Sequence, residues 1–239
     1  MTGAPPIVRV RRIDARAAPF DWRWAAANRA AIEANWAEKL ARTPRLFNGR
    51  VLLMHDLAVA DGACRAVYFE ADFKDFLAWR DLGFPDPTIG NGYAMGALQG
   101  SDGAFLCGVM GGHTANAGRV YFPSGTPDPS DLRPDGSVDL ATSVTRELKE
   151  ETALAPSLYE VLPEWVVVRH GPATAFMRPI RCREPAEAVA DRIRAALALQ
   201  PEPELAGIRV IRGPGDIDER AMPATMQAFL RWHYAGRDP

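Results

Sequence analysis

The sequence predicts a mixed α/β (α+β) fold, a sheet sandwiched between helices. Two observations carry that expectation. Short, strand-like apolar runs recur in pairs around tight turns, at Asp61-Gly62, at Ser101-Asp102-Gly103 and at Gly171-Pro172, as antiparallel strands do. Longer stretches with apolar residues at helical spacing separate the pairs. Elements of both kinds hide their apolar faces best in stacked layers. A chain of 239 residues, 47% hydrophobic and 24% charged, is long enough for one large domain or for a domain with a sizeable extension.

Taken in order, Ile7 to Ile13 alternates apolar and polar residues and reads as a half-buried strand. Asp21 to Arg42 reads as a helix with Trp24, Ile32, Trp36 and Leu40 on one face, stopped by Pro44. Val51–Val59 and Ala63–Phe69 form the first hairpin. Asp72 to Leu82 reads as a short helix with Asp72 as its N-cap. The breaker-rich Gly83 to Gly92 is the best linker, and it divides the chain into an extension over 1–88 and a main domain over 89–239. Its Gly90-x-Gly92-x-x-x-Gly96 pattern misses the dinucleotide fingerprint by one residue and follows no strand, so it is set aside.

Within 89–239, Tyr93–Leu98 pairs with Ala104–Met110, and a Gly-rich loop carrying His113 and Asn116 follows. Val120 to Phe122 is a short strand entering a Pro/Gly turn at Pro123-Ser-Gly125. Asp139 to Glu151 reads as a helix that Asp139 could cap. A further strand pair, Tyr159–Val168 with Ala173–Cys182, precedes an amphipathic helix over Pro185–Leu199. A strand over Leu205–Ile211 and a helix over Ala224–Tyr234 close the chain.

Composition excludes several classes. With 28 basic and 30 acidic residues and a net charge of −2, nucleic acid and anionic membranes are not expected partners on global charge. Arg9, Arg11, Arg12 and Arg16 nevertheless make a locally basic start, read as a polar strand edge. No apolar run approaches the roughly 18–20 residues that span a bilayer, and Met1 to Pro6 has no apolar signal region. Three scattered cysteines without a C-x-x-C pair argue against a disulfide scaffold or a structural zinc site. Reduced, cytoplasmic conditions fit them best. Walker A, His-x-x-Glu-His and Gly-x-Ser-x-Gly patterns are absent.

The Asp139–Glu151 helix places its acids oddly. A helix C-terminus carries partial negative charge, so acids there are unfavourable by about 0.3–1 kcal/mol each. Glu147, Glu150 and Glu151 are i, i+3 and i+4 neighbours on one side, close to the apolar stripe of Leu140, Val144 and Leu148. A solvated acidic shoulder paired with Arg146 and Lys149 is one explanation. A hard divalent cation among the oxygens is the other.

The run Arg146-Glu147-Leu148-Lys149-Glu150-Glu151-Thr152-Ala153-Leu154 resembles the second half of the Nudix box, G-x5-E-x7-R-E-U-x-E-E-x-G-U, in which U is a bulky aliphatic residue. Only Ala153 departs there, standing where the family has Gly. The first half departs further. Asp139 stands in for the first Glu with six residues between it and Arg146, and Gly125 lies far upstream of a lengthened loop. The turn Pro123-Ser-Gly125-Thr-Pro127-Asp128-Pro129 and that spacing resemble the branch of UDP-glucose pyrophosphatase-like diphosphatases. So do Trp36 to Leu40, Pro44 to Gly49 and Asp72 to Leu77. The resemblance covers the chain in patches.

The resemblance implies an alpha-beta-alpha sandwich and a Mg²⁺-dependent hydrolase, with Mn²⁺ as the alternative ion. The substrate would be a small-molecule nucleoside diphosphate derivative, foremost a UDP-sugar. ADP-ribose, dinucleotide or coenzyme A-type substrates, or a domain that only senses a nucleotide, are the alternatives. By the same resemblance Glu147, Glu150, Glu151 and Asp139 would hold the metal, and Glu147 and Glu150 would serve catalysis. Arg146 would orient a box carboxylate, while Arg119 and Gly125 would meet the substrate. The catalytic base stays open among Glu160, Glu164, Glu187 and Glu204, and a homodimer stays open too.

Overall fold

The computed structural model describes residues 7–114 and 116–236; the reading of Met1 to Pro6 lies outside them. Two sheets organise the chain. The larger holds β1 (Ile7–Val10), β5 (Asn91–Gln99), β6 (Phe105–Met110), β10 (Trp165–His170), β11 (Ala173–Cys182) and β12 (Leu205–Ile211) in the order β1-β10-β11-β5-β6-β12. Three short strands flank it: β7 (Val120–Tyr121) beside β6, β8 (Ser124–Gly125) beside β5 and β9 (Tyr159–Val161) beside β11. The sheet is mixed, since β11 runs parallel to β5 while the other pairings are antiparallel. The smaller sheet has the order β2-β4-β3, from β2 (Arg12–Ala17), β3 (Arg50–Ala60) and β4 (Ala63–Asp72).

Helices α4 (Leu140–Thr152) and α6 (Ala224–Ala235) cover opposite faces of the large sheet. On β5, Gly96 faces Val144 of α4, whereas the Tyr93 hydroxyl, on the other face, meets Thr225 of α6 at 2.7 Å. Helix α5 (Ala186–Leu197) packs beside α4 against β12 and β6. The expected sandwich of helices around a mixed sheet is thus the observed architecture. No helix among the described residues is long and apolar enough to cross a membrane.

The small sheet is covered on both faces, as its alternation dictates. Val51, Leu53, Phe69 and Ala71 point to an apolar cluster with Trp22, Ile32, Phe76 and Trp79, built by α1 (Arg23–Ala27), α2 (Arg29–Arg42) and α3 (Phe73–Asp81). Leu52, Met54, Ala66 and Tyr68 point the other way, into the main core. The Asp61-Gly62 turn is the one its sequence asks for, with φ of 52° and 72°.

Four expectations need correction. The single strand over Ile7–Ile13 divides at Arg11: β1 pairs with β10, while β2 pairs with β4 in the other sheet. The helix over 21–42 breaks at Asn28, whose side chain donates to the Trp24 carbonyl at 2.8 Å and so competes with the backbone ladder. Asp72 makes no side-chain cap; it binds Arg50 at 2.7 Å, and Asn48 accepts from the Lys74 N–H instead. The strand over Tyr159–Val168 is two strands, interrupted around Pro163. The breaker-rich stretch after α3 is tied down: Asp86 accepts from both Trp22 and Trp79 at 3.0 Å, and Gly90 exchanges two backbone bonds with Met54. Cys64, Cys107 and Cys182 are free and buried.

Candidate active site

Helix α4 builds the site. Leu140, Val144 and Leu148 are buried against the sheet, which fixes the roll of the helix. Asp139 caps its start, accepting from the Thr142 N–H at 3.1 Å. Ala153 ends it in the left-handed region at φ 54°, its N–H bonded to the Lys149 carbonyl at 2.9 Å. With that roll, Glu147 and Glu151 are carried under the β7–β8 turn rather than into open water.

Glu151 is only 3% exposed. Its Oε1 accepts from the Ser124 N–H at 3.1 Å, and its buried Oε2 has no partner. Burial pushes its carboxyl up to about 9; the Ser124 N–H opposes this, and the charges of Glu204, Glu147 and Glu150 add to it. Glu147 is half-buried, and burial pushes it up as well, against the pull of Arg146. A Cβ at position 125 would sit 2.6 Å from Glu147 Oε1, so any side chain there would push that carboxylate aside. Glu150, the third acid, is exposed on the rim.

Arg146 holds Glu147 from the other side. Its Nη2 lies 3.2 Å from Glu147 Oε1 and 3.1 Å from Asp131 Oδ1, and its Nη1 donates to Ser130 Oγ at 2.9 Å. Asp131 is the partner that the box pattern alone does not reveal. It is 5% exposed and belongs to a capping box with Asp128 around a 3₁₀ turn over Pro129–Asp131. The spacing Asp128-Pro129-Ser130-Asp131 carries that signal. The lengthened loop therefore serves to deliver the carboxylate that pins Arg146.

Among the four candidates for a base, the structure brings Glu204 near the acids. Its charge acts on Glu147, Glu151 and Tyr121, and its carbonyl accepts from the Gly111 N–H at 2.8 Å. Glu187 is instead occupied by Arg194 and Arg212, Glu160 sits on β9, and Glu164 lines a different cavity beside Arg9 and Trp232. Beside the Ser124–Gly125 turn lies a cavity of about 190 Å³ lined by Asn91, Asn116, Arg119 and Tyr121. Arg119 and Gly125 thus share one cavity wall. Arg119 is exposed, with one donor on the Arg220 carbonyl at 3.0 Å. Asn116 donates to the Tyr121 hydroxyl at 3.1 Å.

Asp139 is not brought to this group. It stands at the other end of α4, about 12 Å along the axis from Glu147 at roughly 1.5 Å per residue. Arg133 binds it at 2.6 Å. A helix separates the two positions, whatever their spacing in sequence implies. Among the described residues, no three or more His, Cys, Asp or Glu side chains form a ready cage for a metal ion. The donor set around Glu151 nonetheless fits a hard cation: it is all carboxylate oxygen, mutually repelling, and includes one buried oxygen with nothing to bind.

No family model and no curated relative matches the chain. Among solved structures, the chain is similar to a Nudix hydrolase from M. smegmatis, RenU, at 17% identity and a TM-score of 0.39, over 62% of this chain and 88% of that one. It is similar to the MutT protein from Methanosarcina mazei Go1 at 16% identity and a TM-score of 0.37, over 62% of this chain and 95% of that one. Likeness at this level decides nothing about chemistry, so the functional reading rests on the residues just described.

Proposed function

We propose that the chain is a divalent-metal-dependent hydrolase that cleaves the diphosphate of a nucleoside diphosphate linked to another moiety. The observation that carries the reading is the Glu151 carboxylate, buried with a partnerless Oε2 among Glu147, Glu150 and Glu204, beside a cavity lined by Arg119. A buried, unpaired acid costs several kcal/mol, and a fold has reason to keep one where a ligand relieves it. Glu147, Glu150 and Glu151 would hold Mg²⁺ or Mn²⁺. When bound, such an ion neutralises phosphate charge and makes water more acidic.

The chain's own groups position the reaction. The Ser124 N–H aims Glu151, and Arg146, itself pinned by Asp131, aims Glu147. Arg119 offers guanidinium donors to a phosphate at the cavity wall. Glu204 accepts the proton of the attacking water. The water oxygen bonds to one phosphorus, the bridging P–O bond breaks, and two phosphate monoesters leave.

The N-terminal sequence resemblance supports a UDP-sugar as substrate, giving UMP and glucose 1-phosphate from UDP-glucose. ADP-ribose, dinucleotides and coenzyme A are the competing substrates. Purified protein with Mg²⁺ should release products from at least one member of that panel, and Glu150→Gln with Glu151→Gln should abolish the release. Full activity in that double variant, or no turnover of any member, would remove the proposal. The left-handed Ala153 and the distant Asp139 favour a second reading, a nucleotide sensor without turnover. It would show ligand-dependent thermal stabilisation and no product.

A further inference from the structure

The opposite end of α4 borders a second cleft, of about 760 Å³, and its charge is the reverse of the first. Arg11, Arg12, Arg16, Arg65, Arg133 and Arg178 line it, against only Asp14 and Asp139. Six guanidinium groups less two carboxylates leave a local charge of +4 in a chain whose net charge is −2. Three of the six are paired: Arg12 with Asp14 at 3.0 Å, Arg65 with Asp56 at 3.0 Å, and Arg133 with Asp139 at 2.6 Å. The other three have no carboxylate within ion-pair distance among the described residues. Arg11 donates to the neutral Asp61 carbonyl at 2.8 Å, and the charge of Arg16 acts on the exposed Asp135 without pairing with it.

Arg178 is the most telling. It projects from β11 in the gap between β10, which pairs up to Met177, and β9, which pairs from Ile180. Its guanidinium stacks on Trp165 at 4.7 Å, and its buried Nε has no hydrogen-bond partner. Burial lowers its pKa, and no acid opposes the shift. An anion that reaches a half-buried guanidinium with an unpartnered Nε would stabilise it.

We propose that this cleft binds a small molecule carrying two or more phosphate groups. The arginines come from β2 and the junction before it, from β4, from the loop before α4 and from β11, so they converge on a compact ligand rather than tracking an extended backbone. Guanidinium groups suit phosphate oxygens through paired N–H donors. Nucleic acid is the poorer occupant, because the aromatic ring in the wall, Trp165, is buried and its face is taken by Arg178, leaving no platform for a base. The cleft is independent of the proposed hydrolase reading.

The test is calorimetry on the full chain in EDTA, with tripolyphosphate and ATP as separate probes for a free and a carried oligophosphate. At least one should bind saturably at one site, more weakly at 200 mM than at 50 mM salt. Arg16→Ala with Arg178→Met should raise Kd at least tenfold, and Glu151→Gln should leave Kd within twofold. Should the double variant fail to fold, Arg16→Glu, at an exposed position, should raise Kd at least threefold on its own. The proposal is overturned if neither probe saturates, if folded arginine variants bind as the parent does, if Glu151→Gln abolishes binding, or if a single-stranded oligonucleotide displaces the probe at equal phosphate concentration.

Discussion

Glu151→Gln isolates the charge around which the acidic site is arranged. Burial and three acidic neighbours raise the Glu151 carboxyl from 4.5 to about 9. At about 1.36 kcal/mol per pKa unit, ionising it in the folded protein opposes folding by up to roughly 6 kcal/mol. Relaxation and water entry recover part of this, leaving about 2–4 kcal/mol. The sign follows from linkage. Below pH 4.5 both the folded and unfolded chains hold the proton, and there is no penalty. Between 4.5 and 9 the unfolded chain releases it first, so stability falls as pH rises, and above 9 the penalty is complete. The amide of Gln keeps the size of the side chain and can still accept from the Ser124 N–H, but it does not ionise. In EDTA the parent should therefore lose about 2–4 kcal/mol more stability than Glu151→Gln between pH 5 and 9. At 2–4 °C per kcal/mol for a chain of this size, that is roughly 5–15 °C in Tm. Thermal unfolding followed by circular dichroism across that range is the assay. Mg²⁺ at pH 8 should raise the Tm of the parent by mass action and leave that of the variant nearly unmoved. Parallel pH profiles for the two proteins would refute the argument, since they would mean that Glu151 ionises in the folded state as easily as it does in water.

Four further changes probe the surrounding design. Ala153→Gly should stabilise the protein by about 1 kcal/mol, because the left-handed backbone at φ 54° is strained for Ala and free for Gly; urea midpoints measure it. Gly125→Ala should lower turnover more than tenfold with little loss of stability, since the new methyl would stand 2.6 Å from Glu147 Oε1 and displace that carboxylate; kcat and Tm read together separate the two effects. Asp139→Ala should cost about 1 kcal/mol through the lost cap and leave turnover within a few-fold, which separates capping from metal binding. Glu204→Gln should lower kcat by about 10²-fold or more while Mg²⁺-dependent stabilisation survives, as expected of a proton acceptor rather than a ligand.

The parts of this fold that were legible in the sequence are those set by local chemistry. Asp61-Gly62 announced its hairpin because only that turn matches the strand twist. The stripe of Leu140, Val144 and Leu148 announced a helix and told which acids would border its buried face. What escaped depends on partners distant in sequence. Nothing around Arg11 says that one half of an alternating run will serve one sheet and the other half another. Asp139 was legible as a cap, yet the helix length that carries it away from Glu147 is a fact of three dimensions. Glu204 is separated from Glu151 by three strands and a helix, and no local pattern distinguishes it from Glu160, Glu164 or Glu187. The arginines of the second cleft looked like an ordinary polar edge until Arg65, Arg133 and Arg178 arrived from elsewhere.

Helix α4 connects these observations through its dipole. A stable isolated helix sets acids at its positive N-terminal end and bases at its negative C-terminal end. Here Glu147, Glu150 and Glu151 crowd the negative end, and six arginines line the cleft at the positive end, against Asp139 and Asp14. Apart from the Asp139 cap and Lys149, the side chains add to the dipole at both termini instead of compensating it. Tertiary packing, through the buried stripe and the pins at Ser124 and Asp131, supplies the stability that this arrangement forgoes. A cation at one end and an anion at the other would each relieve the strain, which is the common physical ground of the two proposed sites.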